Sequence, residues 1–175
     1  MKKLVVTLLI SSLSCLMTGC FLFGGDDDFV PKLPPETTTG EYTFGFKLNG
    51  EVFNLDRRFV ADYQGGQLAI YADYGLDTEK NYSMALLLSN PLLEENQRYD
   101  LTEDIYHALM DTWLHDDPET VCTYELEDTY EGFVEFTNID RVKYIVSGRF
   151  EFSTANDQCD TMRLTEGRFD MWYVP

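Results

Sequence analysis

Thr43-Phe44-Gly45-Phe46-Lys47-Leu48-Asn49-Gly50-Glu51-Val52-Phe53 decides the fold class of this chain. Phe44, Phe46 and Leu48 alternate with Thr43, Gly45 and Lys47, the period of a strand with one buried face. Asn49-Gly50 tolerates the two positive φ angles of a tight hairpin turn, so the chain is expected to double back along Glu51 to Leu55. The same period continues outward. Arg58 to Tyr63 reads as a strand, Gln64-Gly65-Gly66 as its turn, and Gln67 to Asp73 as the next strand, with Leu68, Ile70 and Ala72 on one face. Tyr82, Met84, Leu86 and Leu88 repeat the pattern after a polar turn at 75–81.

Residues 101–117 are ambiguous. Ile105, Leu109 and Trp113 recur every four residues behind Thr102, a residue type that caps helices, with Glu103 and Asp104 in the favourable first turn. Read with period two, Ala108, Met110, Thr112 and Leu114 give a mediocre strand. The pattern leans to a short helix near 103–114, ended by Asp116-Asp117-Pro118.

The C-terminal third contains an echo: Gly132-Phe133-Val134-Glu135-Phe136, Gly148-Arg149-Phe150-Glu151-Phe152 and Gly167-Arg168-Phe169-Asp170-Met171. A glycine inside a strand permits a sharp bend, and an aromatic ring on a neighbouring strand can cover it. The prediction is an all-β domain, either an antiparallel β-sandwich or a strongly curved, barrel-like meander. Tyr144, Val146, Phe150 and Phe152 fall on one face of their strand and Ser147, Arg149 and Glu151 on the other. Phe169, Met171 and Tyr173 match the first set, Arg168 and Asp170 the second. Neighbouring strands would then pair Arg149 with Asp170 and Arg168 with Glu151 on the exposed face, setting register more than stability.

The N-terminus is an export address. Lys2 and Lys3 precede an apolar stretch from Leu4 to Leu13, and Leu16-Met17-Thr18-Gly19-Cys20 ends it with small residues before a cysteine. This predicts a lipoprotein signal peptide over 1–19, removed in the mature chain, and acylation of Cys20; a plain secretory signal is the alternative. The apolar stretch is shorter than the roughly 20 residues of a bilayer span, so multiple acyl chains on Cys20 would hold the protein at the membrane. Residues 20–40 carry Gly24-Gly25, Asp26-Asp27-Asp28, Pro31, Pro34, Pro35 and Thr37-Thr38-Thr39 without apolar periodicity. They read as a flexible acidic tether, about 65 Å when fully extended, before a single domain over 41–175.

The four cysteines divide by compartment. Cys15 leaves with the signal peptide, Cys20 carries the lipid, and Cys122 and Cys159 remain in an oxidising space, where a disulfide is expected. Closing that loop stabilises by about 4 kcal/mol in the chain-entropy model. A two-residue turn at Asp140-Arg141 would set Cys122 directly opposite Cys159 in a hairpin, whereas a turn extending through Val142 and Lys143 would shift that register.

Thirty-one acids against 13 bases give a net charge of -18. This argues against nucleic acid as a partner, since phosphate binding needs clustered Lys and Arg, and against a face lying flat on anionic lipid. Acidity suits solubility, or steering toward basic proteins. No phosphate loop, HExxH, GxSxG or EF-hand spacing occurs. His107 and His115 are the only histidines and do not form a metal motif, so neither metal nor cofactor is expected.

The chain resembles small β-rich lipoproteins of Bacteroidota-type bacteria that have no assigned biochemical role. The likeness lies in Phe46-Lys47-Leu48-Asn49-Gly50-Glu51-Val52-Phe53, in Gly132 through Asp140, in Ser147-Gly148-Arg149-Phe150-Glu151-Phe152 and in Thr165-Glu166-Gly167-Arg168-Phe169. It implies an antiparallel β fold, favours strand over helix near His107, and imports no catalytic residue. The acids behind Cys20 resemble a surface-export signal, although Asp26 lies farther from the cysteine than usual, which leaves outer-membrane placement either inward or at the cell surface.

The chain holds 12 Phe, 11 Tyr and 2 Trp. Tyr71, Tyr74, Tyr106, Trp113 and Trp172 fall off the clearest apolar faces or in loops, where they would stack on a glycan or anchor a protein partner. The competing reading has Tyr71 and Trp172 cover the second face of a sandwich or the ends of a barrel. The expected function is a lipid-anchored, non-enzymatic binding or structural module at the cell envelope. The alternatives are an inhibitor of a basic secreted enzyme such as lysozyme, and a glycan-processing enzyme.

Overall fold

The computed structural model describes residues 31–75, 79–90 and 92–175. Cys20, the Asp26–Asp28 triplet and the predicted signal peptide lie outside the described residues. Among the described residues eleven strands run in order: β1 (Thr43–Leu48), β2 (Glu51–Leu55), β3 (Phe59–Gln64), β4 (Gln67–Tyr74), β5 (Lys80–Leu88), β6 (Arg98–Asp100), β7 (Tyr106–Leu114), β8 (Asp117–Tyr124), β9 (Thr129–Asp140), β10 (Ile145–Thr154) and β11 (Met162–Val174). A 3-10 turn at Leu126–Asp128 separates β8 from β9. Among the described residues no helix is long and apolar enough to cross a membrane.

The predicted opening hairpin forms. Leu48 faces Glu51 across a two-residue turn in which Asn49 and Gly50 have φ of 49° and 90°, values that an L-residue with a Cβ adopts only at a cost and that Asn and Gly tolerate best. β3 and β4 repeat the device with Gly65 and Gly66. Two layers result. The first has the order β2-β1-β11-β10-β9-β6, the second β3-β4-β5-β7-β8. They are joined where the end of β11 pairs in parallel with β3 through Tyr173↔Ala61 and Val174↔Asp62. The strands do not close into a barrel, and the all-β expectation of a sandwich or open curved meander holds.

One apolar core fills the space between the layers. Phe44, Phe46, Phe150, Phe152 and Phe169 of the first layer meet Phe59, Ile70, Tyr74 and Leu86 of the second, all buried. Ring centroids lie 5.5 Å apart for Phe44 and Phe59 and 4.7 Å for Phe46 and Tyr74, within the range of favourable aromatic pairs. The repeated motif explains part of this packing. Gly148 lies opposite Phe169 and Phe150 opposite Gly167, and a Cβ on either glycine would sit 2.7 Å from the facing ring. Each strand thus lends its ring to the other's gap.

Three expectations are corrected. Residues 106–114 form a strand, not a helix: nine pairs join it to β5, and Tyr106, Ala108, Met110 and Thr112 are buried on alternate positions. The helix reading rested on Ile105, Leu109 and Trp113, which turn to the outer side of the layer. Second, Asp170 is not on an exposed ion-pairing face. Arg149 stands opposite Arg168, and Ser147 opposite Asp170. Neither expected cross-strand ion pair occurs among the described residues. Third, the compact unit begins at Pro31, ahead of Glu41, because residues 31–42 run along the outer side of the first layer.

The Cys122–Cys159 disulfide is present, with the two Cα atoms 5.8 Å apart. Its predicted geometry is not. The β9–β10 turn spans the four residues 141–144, and two register shifts follow. Cys122 lies on β8 and Cys159 in the loop before β11, so the bond links the two layers at one edge. Beside it, the Tyr124 hydroxyl donates to the Asp160 carbonyl.

Candidate ligand-binding cavity

The five aromatic residues singled out in the sequence do not converge. Tyr74 and Tyr106 are core residues, 4% and 6% exposed. Tyr74 stacks on Tyr82 at 4.9 Å, and burial pushes its hydroxyl well above the usual phenol range. Tyr106 packs edge-on to Tyr99, and its hydroxyl accepts from Asn90 Nδ2 at 2.8 Å. Trp113 is partly covered, opposite Asn81 on β5. Only Tyr71 and Trp172 are well exposed, and they lie on the outer sides of different layers. His107 and His115 sit at opposite ends of β7, and no three His, Cys, Asp or Glu side chains among the described residues gather to hold a metal.

The densest polar site holds the chain to itself. Asp170, fully buried, accepts hydrogen bonds from the backbone N–H groups of Thr39 (3.1 Å), Gly40 (2.9 Å) and Glu41 (3.0 Å) and from the Ser147 hydroxyl (2.7 Å). Burial works to raise its pKa. The Glu41, Ser147 and Gly40 donors outweigh it and hold the carboxyl below its usual value, helped by the Thr37 hydroxyl, which lies near without reaching hydrogen-bond geometry. The same strap carries Glu36, whose carboxylate accepts from Arg149 Nε at 2.9 Å, and the Pro34 carbonyl, which accepts from Arg168 at 3.2 Å. Those two arginines face each other directly, an unfavourable arrangement that the strap neutralises. Gly45 leaves room for Pro34: a Cβ there would sit 2.4 Å from the proline Cδ.

A different arrangement lies at the end of the sandwich, where the β9–β10 turn meets the ends of β3 and β11. A cavity of about 220 Å³ is lined by Tyr63, Leu68, Leu93, Ile139, Arg141, Tyr144, Val146, Tyr173 and Pro175. Tyr63 and Tyr144 both stand edge-on to Tyr173, with centroids 6.2 and 5.8 Å away. Tyr144 has φ of 57°, a strained value for a bulky residue. It is held there by the Tyr173 N–H, which donates to the Tyr144 carbonyl at 2.8 Å. Burial raises the Tyr173 pKa, and the Arg141 charge opposes that rise.

Arg141 carries the one charged side chain of the lining. Its Nη2 donates to the Leu93 carbonyl at 2.8 Å, and among the described residues no carboxylate forms an ion pair with it. A guanidinium has five N–H donors, of which the Leu93 carbonyl takes one.

A larger depression of about 510 Å³ lies on the outer side of the first layer, around Gly132 and Phe133. It is an open groove. Its arginine, Arg98, is already engaged, 3.6 Å above the Phe133 ring and 3.3 Å from Glu135.

Sequence reading missed Tyr63, Arg141 and Tyr144 as site residues and placed Tyr173 only as an inward-facing strand residue. The one available signal was that Tyr144 and Tyr173 each extend a strongly apolar strand face beyond its buried part. No family model, curated protein or solved structure matches the chain.

Proposed function

We propose that this protein is a lipid-anchored binding module of the cell envelope, held at the outer membrane through Cys20, and that the tyrosine-lined cavity is its ligand site. The observation that carries the binding reading is the lining. Three tyrosine rings, aliphatic side chains and one guanidinium provide contact area and orientation. No side chain of the lining is a carboxylate, imidazole, serine or cysteine. The anchor reading rests on the charged, apolar and small-residue succession ending at Cys20.

Expression of the full chain in its own cells, with and without Cys20→Ser, tests the anchor. Radiolabelled palmitate should enter the native protein and not the variant, and the variant should leave the membrane fraction. Equal labelling and unchanged fractionation would overturn the anchor. Capture of bound material from intact cells with native protein and with Ile139→Phe, which narrows the cavity, tests the ligand site.

A further inference from the structure

The cavity's combination of shape and charge defines a ligand class. Resting on the reading of this cavity as a ligand site, we infer that it takes a small amphipathic acid: one aromatic or branched hydrocarbon body carrying a single carboxylate, with the body among the tyrosines and the carboxylate on Arg141.

Volume fixes the size of the body. A dry cavity of about 150 Å³ accepts benzene, and this one, at about 220 Å³, has room for a ring with a short acid arm. A long acyl chain is too large for it. A sugar fits by volume but would give up hydrogen bonds from most of its hydroxyls to a lining dominated by Leu, Ile, Val and ring surface.

Charge fixes the head. In a chain with 31 acids and 13 bases, Arg98, Arg149 and Arg168 on the outer side of the first layer are engaged by acids, a ring or a carbonyl of the chain itself. Among the described residues the Arg141 guanidinium at the cavity meets the Leu93 carbonyl and no acid. The free edge of a guanidinium matches a carboxylate with two parallel N–H···O bonds, a pairing that neither an alcohol nor an amine reproduces. The strained backbone of Tyr144 supports a built site, since it accompanies the edge-on contact of that ring with Tyr173 in the lining that also holds Arg141.

Titration calorimetry of the full-length protein with 3-phenylpropionate and its neutral counterpart 3-phenylpropanol tests the inference. The acid should bind one per chain, at least tenfold more tightly than the alcohol. Arg141→Gln should erase that preference, leaving the alcohol's affinity within twofold, while Arg141→Lys retains part of it. Ile139→Phe should weaken both ligands. Thermal midpoints within a few degrees of the native protein would show that Arg141→Gln has not simply released the Leu93 segment.

Equal affinity for acid and alcohol, a preference that survives Arg141→Gln, or no binding of either compound at millimolar concentration would overturn the ligand class. If the acid fails to bind but Ile139→Phe still abolishes capture from intact cells, the cavity remains a ligand site and only its chemistry was misassigned. If Ile139→Phe leaves both capture and titration unchanged, the cavity reading itself falls.

Discussion

The strap-covered side of the first layer and the cavity end of the sandwich use similar residue types to opposite effect. On the covered side the charged groups meet other parts of the same chain: Asp170 takes three N–H groups of residues 39–41 and a serine hydroxyl, Arg149 takes Glu36, and Arg168 takes the Pro34 carbonyl. At the cavity end an arginine and three tyrosines surround a volume, and the arginine's charge is met by no acid among the described residues. Charges that the chain neutralises itself belong to stability. A charge left open beside an apolar cavity belongs to recognition. Substitutions on the first side should therefore alter folding, and those on the second should alter binding alone.

The largest expected effect lies outside both regions and sets the scale. Replacing Cys122 and Cys159 together with serine removes the disulfide between β8 and the loop before β11, and should lower unfolding free energy by about 4 kcal/mol in urea titration. Asp170→Ala should cost about 3 kcal/mol by stranding the strap donors and the Ser147 hydroxyl, and should open residues 31–41 to limited proteolysis. If Asp170→Ala is as mild as Arg141→Gln, expected within about 0.5 kcal/mol of native, the contrast between the regions fails.

Acid titration sharpens the same point. The Asp170 pKa is lowered in the folded state, so its contribution is fully present above the unfolded value near pH 4 and is lost as pH falls through the lower folded value. Urea midpoints between pH 5 and pH 2 should fall less steeply for Asp170→Asn than for the native protein. A parallel fall would mean that the carboxylate does not hold the strap.

Gly45→Ala should cost about 2 kcal/mol by pushing against Pro34 and the Phe53 carbonyl. Combined with Asp170→Ala it should cost less than the separate losses added together, because both changes release one segment. The smallest effect on the covered side is Arg149→Ala. Its pair with Glu36 is half exposed, so the loss should stay under about 1 kcal/mol.

Where pairing is local, the sequence revealed the architecture; where it is distant, it did not. The Asn49-Gly50 hairpin and the alternation along β4 and β5 are written within a few residues of each other. The segment at 103–114 misled because a spacing of four satisfies both periods: Ile105, Leu109 and Trp113 share a helix face and equally share a strand face. Tertiary pairing with β5 decided between them. The disulfide was expected from compartment and cysteine count, and the bond itself is present. The hairpin geometry offered for it does not, because a four-residue turn and two bulges intervene.

The strap was read as tether because Gly, Pro and Thr show no apolar period. What fixes residues 31–42 is a carboxylate about 130 residues away meeting backbone N–H groups, which no side-chain pattern displays. The cavity residues were hidden for a related reason. An arginine's lack of an acidic neighbour is a property of the folded surface.

The exchange of Gly148 with Phe169 and Phe150 with Gly167 has a consequence for register. The smallest slip that keeps the same faces inward is two residues. In one direction it sets Phe150 against Phe169 ring to ring; in the other it sets Gly148 against Gly167 with nothing to fill the gap. The first overfills a core position that one ring occupies in the native register, and the second leaves it empty, so both are penalised when the second layer packs on the hairpin. The repeated motif thereby ties the register of β10 and β11 to the packing of the whole core.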